Sequence, residues 1–326
     1  MKSALREHWP EYLMEGGTLS CFMISVCLLV TVFESPRSLV YTYVSSGALR
    51  TVLLALTVSL TLTLLIQSPW GKRSGAHLNP AITLAFLRLK KIHPWDALFY
   101  ILAQTLGGTV GVVIVAFFVG SLFTAPPVRY AVTSPGPAGE TVAFIAEIVI
   151  SFALMATILR FTASPRLIRF TAIAVGCLVA LFIIVEAPIS GASMNPARTI
   201  ASAVPGMMWE HVWLYVLGPT VGMLAAAQLH LHTHNHGALG CAKLFHPKDV
   251  RCIHCGYQPK KESRIAAFSA QATTERRGKT CPFYVRPFTF RRTSIGLVDF
   301  KLSGFLGITT RFTVASRNES NRGDEK

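Results

Sequence analysis

The sequence predicts an all-α membrane protein with six transmembrane helices and two re-entrant half-helices in an inverted 3+3 repeat. Three observations predict it. Hydrophobic residues make up 51% of the chain and charged residues 14%, and mean hydropathy is +0.46, far from a soluble domain's balance. Six stretches, near 12–33, 48–67, 95–120, 140–160, 168–186 and 210–230, carry the apolar length a spanning helix needs. One short string occurs twice, SGAHLNPAITLA at Ser74 to Ala85 and SGASMNPARTIA at Ser190 to Ala201, and each copy interrupts the apolar background with a Gly turn and an Asn-Pro-Ala tripeptide.

The first span follows the charged segment MKSALREHWPEY and lacks a small-residue cleavage site behind a short apolar core, so it is expected to stay as a membrane helix. Lys72, Arg73, Arg88, Lys90 and Lys91 lie between the second and third spans, and Arg160, Arg166 and Arg169 between the fourth and fifth. Positive connections face the cytoplasm, which puts both termini inside. The opposite connections carry Arg37, Arg129 and Arg198, with Arg50 at a helix entrance. Arg198 therefore needs an explanation of its own.

Each half contains three spans, with the repeated string between its second and third. An odd number of crossings inserts the halves in opposite orientations, and such repeats place their site near the bilayer midplane where helices are discontinuous. The stretches Ala76 to Leu89 and Met194 to Val204 are too short to span, and irregular backbone at membrane depth must be buried in protein or line a watery cavity. Both are read as re-entrant half-helices. Pro80 and Pro196 suit a first helical turn, and Asn79 and Asn195 stand at the cap positions before them, with Ala81 and Ala197 completing each tripeptide. Each Asn can cap its helix and still aim an amide N–H into the cavity. The two positive helix ends would meet near the middle of the membrane and repel cations. Glu15 in the first span and Glu147 at the matching place in the fourth are costly in lipid, so each is a candidate support for re-entrant backbone or a partner for a helix end. Gly107, Gly108, Gly111, Gly218 and Gly222 read as close helix-packing points, and Cys21, Cys27 and Cys177 as small packing residues.

Two SGAxxNPA strings, the second continuing as NPAR, within six spans and with a span Glu in each half, resemble the aquaporin or major intrinsic protein family over roughly residues 10 to 232. The resemblance implies a homotetramer in lipid, each protomer holding its own pore for water and small neutral solutes. It implies that Asn79 and Asn195 orient the permeating molecule at the midpoint and that Arg198 forms part of an outer aromatic/arginine constriction. The family's fifth-span filter position falls on Ile183 and the neighbouring loop position on Ala192. The second-span partner is Val58 or Ser59, because SPWGKRSGAH is one residue longer than the usual connection. Strictly water-selective members usually carry His where Ile183 stands. Glycerol facilitators usually carry Asp after NPAR, where this chain has Thr199, and a longer external loop in the second half. The expectation is a water-like branch with a relaxed filter, passing water and also ammonia, hydrogen peroxide or glycerol. A glycerol-type facilitator and a poorly conducting structural or adhesion protein of the same fold are the alternatives. A bacterial plasma membrane is the expected location.

Other classes fit less well. The net charge of +15 suggests nucleic acid, yet from His230 onward the chain holds 17 Lys and Arg against 7 Asp and Glu, so about two thirds of the excess sits in a basic tail beside an anionic leaflet. No nucleic-acid motif accompanies it. No acid, His or Arg relay for ion coupling runs through the spans; Glu15, Glu147 and Glu186 are the acids to check. No nucleophile–base pair or phosphate loop stands out, so no enzyme is expected.

The chain divides into a channel domain at 1–232, with halves near 10–122 and 138–232, a His/Cys-rich juxtamembrane tail at 233–262, and a basic tail at 263–326. No cofactor is expected for the channel itself. In the tail, Cys252 and Cys255 have the spacing that presents two thiolates to one tetrahedral zinc, and Cys241, His246 or the run His230, His232, His234, His236 could complete the set. The opposing reading is a flexible tail whose His and Cys never meet. The last segment reads as disordered, although FTFRRTSIGLVDFKLSGFLGITTRF has the β-branched and aromatic content for local strands. Asn318 heads an Asn-Glu-Ser glycosylation pattern that a cytoplasmic tail would never present to the machinery.

Overall fold

Long apolar runs bounded by Gly, Pro and Ser become helices whose bounds follow those punctuation marks. The computed structural model describes residues 1–233 and 239–259, together with the backbone of 297–303 and 309–315. Six helices are long and apolar enough to cross a membrane: α1 (Lys2–Glu34), α3 (Gly47–Gln67), α6 (Pro94–Val119), α8 (Glu140–Thr162), α9 (Thr171–Ser190, extended by a 3-10 turn at Ile168–Phe170) and α11 (Val212–Thr233). α1 begins some ten residues before its expected apolar stretch, because Lys2 to Tyr12 continue the helix beyond it. Short helices fill the connections: α2 (Leu39–Tyr43), α4 (Pro69–Ser74), α7 (Ser121–Thr124) and a 3-10 turn at Arg129–Ala131. The two half-helices are α5 (Pro80–Arg88) and α10 (Pro196–Gly206).

Packing repeats the sequence duplication. α1 packs on α6 in the first half and α8 on α11 in the second, while α3 and α9 meet across the halves. The half-helices are exchanged: α10 packs on α6, and α5 on α11. Glycine permits the closest of these approaches. A Cβ on Gly107 would lie 2.2 Å from the Gly16 carbonyl oxygen, and one on Gly222 2.3 Å from that of Ile148. Cys27 is buried as expected, whereas Cys21 and Cys177 are exposed on outward helix faces. Those faces are apolar: Leu56, Leu60 and Leu64 form a stripe on α3, and Phe117 and Phe118 stand out from the end of α6. Such a surface suits lipid rather than water.

Residues 261–326 form a separate unit. Within it, β1 (Leu297–Ser303) pairs antiparallel with β2 (Thr309–Ala315), Leu297 opposite Ala315 and Ser303 opposite Thr309. β1 falls within the segment whose composition favours strands, and β2 begins in it and runs three residues past its end. His234, His236 and Asn318 lie outside the described residues.

Candidate functional site

The site is built by the two repeated strings, which adopt the same conformation. Gly75 and Gly191, Ala76 and Ala192, and Leu78 and Met194 all have positive φ, so each string loops back before its helix begins. Ser74 Oγ accepts the Ala76 N–H and Ser190 Oγ the Ala192 N–H, both at 3.2 Å. Tyr100 Oη donates to the Ser74 carbonyl at 2.6 Å, and Tyr215 Oη to that of Ser190 at 2.5 Å. Two non-glycine residues per loop in the left-handed region are costly, and these bonds hold them there.

The span carboxylates anchor the loops. Glu15 Oε1 accepts the Leu78 N–H at 2.5 Å and Gln104 Nε2 at 2.9 Å. Glu147 accepts the Ser193 N–H at 2.7 Å, the Met194 N–H at 2.8 Å and Ser190 Oγ at 2.8 Å. Both acids are fully buried. Of the two roles considered for them, the geometry is that of a support for re-entrant backbone. Glu186 also contacts Ser190 Oγ, at 2.7 Å.

Asn79 Oδ1 caps α5 at the Ala81 N–H (2.9 Å), and Asn195 Oδ1 caps α10 at the Ala197 (3.1 Å) and Arg198 (3.3 Å) N–H groups. Pro80 and Pro196 occupy the first helical turns, where no N–H is required. The amides then cross between repeats. Asn79 Nδ2 donates to the Met194 carbonyl and Asn195 Nδ2 to the Leu78 carbonyl, each at 2.7 Å. The crossing commits one amide hydrogen of each Asn and leaves the second for the cavity.

Asn79 and Asn195 line a cavity of 220 Å³. Its wall is three aliphatic and aromatic stripes at one-turn spacing: Phe22, Val26 and Val30 on α1; Leu54, Val58, Leu62 and Ile66 on α3; and Val175, Val179, Ile183 and Ala187 on α9. The α3 stripe spans about 18 Å at 1.5 Å per residue. Val58, Ile183, Ala192 and Arg198 are all on the wall. Ser59 is not: it is buried, its Oγ has no partner among the described residues, and its carbonyl faces Gly176 of α9.

Arg198 occupies the place that Ile82 holds in the first copy, and both line the cavity. Its Nη1 donates to Thr133 Oγ1. Val30, Gly191 and Arg198 also border a second cavity of 370 Å³ with Glu34 and Thr133, so the guanidinium stands where the two cavities meet. Among the described residues no carboxylate forms a salt bridge with it. Thr199 is buried against Ser193 Oγ at 2.6 Å.

The opposite end of the cavity meets the segment 239–259. Leu244 lines the cavity, and its N–H donates to the Gly75 carbonyl at 3.1 Å. His77, one of the few polar residues of the wall, bonds the Ala242 carbonyl through Nε2 at 2.6 Å and Thr83 Oγ1 through Nδ1 at 3.0 Å. Lys243 Nζ donates to the Lys72 and Arg251 carbonyls, while Arg251 and Arg73 converge on the buried Glu11. His254 stacks on His77 and contacts the Ser74 carbonyl; burial, then His77, keeps it neutral, well below the usual imidazole range. Sequence reading missed His77, Lys243, Leu244 and Arg251. One signal was available: His77 stands where the second copy has Ser193.

Cys241, His246, Cys252 and Cys255 come together, with one ligand atom of each within 4.8 Å of all the others. Cys241 Sγ lies 3.3 Å from Cys252 Sγ, and His246 Nε2 3.2 Å from Cys255 Sγ. The Cys252 thiol is held well below the usual thiol range, first by its hydrogen bond with Cys241 and further by the Lys243 ammonium. His230 and His232 are on α11.

Fold and site together define a class: six-span proteins with two capped half-helices meeting inside an apolar conduit. The family model "Major intrinsic protein" matches residues 12–230, and the chain belongs to that family. A probable NIP-type aquaporin of Nicotiana alata is 40% identical over 48% of this chain and 57% of its own length. Glycerol uptake facilitator protein-like 6 of Lactiplantibacillus plantarum is 35% identical over 48% of this chain and 74% of its own. The match thus spans little more than half the length of the Nicotiana relative. Among solved structures, the aquaglyceroporin from Plasmodium falciparum shares the fold, with a TM-score of 0.60, 21% identity, and 71% of this chain and 99% of that chain covered.

Proposed function

We propose that this protein is a passive channel for water and for small uncharged solutes such as ammonia, hydrogen peroxide and glycerol. The observation that carries this reading is the crossed Asn79–Asn195 pair at the midpoint of the aliphatic conduit. On this largely apolar wall a passing molecule finds replacements for lost hydration at the second amide hydrogens of Asn79 and Asn195 and at the Arg198 guanidinium. Two helix N-termini point positive charge at the same place. Together with the Arg198 cation they oppose protons and other cations, as is understood for aquaporin-type pores. The reading includes no catalysis.

A glycerol-type facilitator is the second reading. Val58, Ile183 and Ala192 give the filter no bulky aromatic, and a relative carries that name. The NIP-type likeness and Thr199 support the water-like branch. We further propose four protomers per assembly, each with its own pore, and both termini on the cytoplasmic side, as the basic α4–α6 connection suggests. The named relatives come from plants as well as a bacterium, so the bacterial location draws no particular support.

Stopped-flow light scattering of proteoliposomes tests the proposal. Osmotic shrinkage well above that of empty liposomes is expected, and shrinkage at the lipid rate would refute water conduction. Fast water flux with no glycerol flux would remove the relaxed filter.

A further inference from the structure

We infer that Cys241, His246, Cys252 and Cys255 bind one zinc-class ion, and that this ion fastens Leu244 in the tail-side mouth of the conduit. The gating half of this inference rests on the channel reading above; the metal half does not. Three thiols and an imidazole are the donor set of a closed structural site for a soft, tetrahedral divalent ion. An ion with bonds of about 2.0–2.3 Å holds its donors about 3.3–3.8 Å apart. Two donor pairs here are at 3.3 and 3.2 Å, and the whole set lies within 4.8 Å, so about 0.5 Å of widening in the close pairs and about 1 Å of contraction in the widest complete the shell.

The surroundings point to the same ligand. Three thiolates on a divalent ion leave a net charge of −1. Lys243 is buried two residues from Cys241, and its Nζ donates to the carbonyl of Arg251, the residue before Cys252. A buried cation whose hydrogen bonds, among the described residues, all go to carbonyls is costly, and an anionic metal centre beside it offsets that cost. On the cytoplasmic side thiols stay reduced and available to metal.

The cluster is also coupled to the conduit. Lys243 and Leu244 lie between Cys241 and His246, so an ion holding those two fixes the loop that carries Leu244. That loop bonds the first repeated string at Lys72, Gly75 and His77. A segment of about 20 residues has little core of its own, and a metal is the usual means of stiffening one that small. The ion therefore sets how firmly Leu244 stays in the mouth.

The full-length protein, reconstituted with zinc supplied, decides both halves. Metal analysis should give about one zinc per chain, lost when Cys252→Ser and Cys255→Ser are combined; equal zinc in both overturns the site. A deficit of two free thiols in denatured, metal-free protein, meaning a Cys241–Cys252 disulfide, also overturns it. Leu244→Gly keeps every ligand, so its zinc should be unchanged while water flux rises severalfold. A chelator should raise wild-type flux towards that of Leu244→Gly and leave the variant unaffected. Zinc bound with flux indifferent to both treatments overturns the gate. Absence of flux from every form overturns the channel reading, while zinc content still judges the site.

Discussion

Asn79 and Asn195 are each bonded to the other's loop: the amide of one meets the carbonyl just before the other, at 2.7 Å in both directions. Neither half-helix end is complete without its counterpart. Asn79→Ala removes a cap worth about 1 kcal/mol and a buried bond worth about 1 kcal/mol, and strands the Met194 carbonyl. A loss of about 2 kcal/mol or more is expected, with reduced water flux, and Asn195→Ala should behave alike. Thermal unfolding in detergent checks this; a strong effect from one Asn and none from the other would contradict the reciprocal bond.

The two span carboxylates carry unequal loads. Glu147 accepts from two loop N–H groups and a hydroxyl, Glu15 from one N–H and an amide. A glutamine presents one acceptor and one wrongly placed donor. Glu147→Gln is therefore expected to lose about 2–3 kcal/mol, in the range of charge-assisted bonds, and Glu15→Gln less. The order of their melting temperatures is the test.

Arg198→Ala should change selectivity more than throughput. It removes the fixed cation where the two cavities meet and leaves the Asn pair intact. Glycerol uptake and proton leak into proteoliposomes should both rise while water flux is kept. Unchanged glycerol and proton permeability would mean the narrow point lies elsewhere.

Gly107→Ala and Gly222→Ala each place a methyl group 2.2–2.3 Å from a carbonyl oxygen of the neighbouring span. Helices must separate to admit it, at about 1–3 kcal/mol. Gly240→Ala, with nothing within 4 Å, is the control and should be close to neutral. Detergent-resistant melting of the three variants measures the difference.

Much of this was legible in one sequence because membrane physics is severe. An apolar run of span length has one use, so α3, α6, α8 and α11 begin and end within three residues of their expected positions. The half-helices were legible from Asn-Pro-Ala, since a cap followed by Pro is a helix start wherever it occurs. The crossed amides were not, because local pattern says nothing about which carbonyl stands opposite. The choice between Val58 and Ser59 depended on the rotation of α3 about its axis, which a helix apolar all round leaves open. The tail was least legible. His77 bonds Ala242 across 165 positions, and a polar segment that folds against a protein wall has the composition of one that does not fold.

The pairing of α1 chiefly with α6 has a consequence for synthesis. Glu15 leaves the ribosome well before Leu78 and Gln104, the groups that satisfy it. During that interval the first helix carries an unanswered carboxylate into the translocon, which is costly wherever it faces lipid. Gly16 and Gly107, whose close fit later seals the pair, are then still far apart in time. Assembly of the first half therefore waits on the arrival of its third helix.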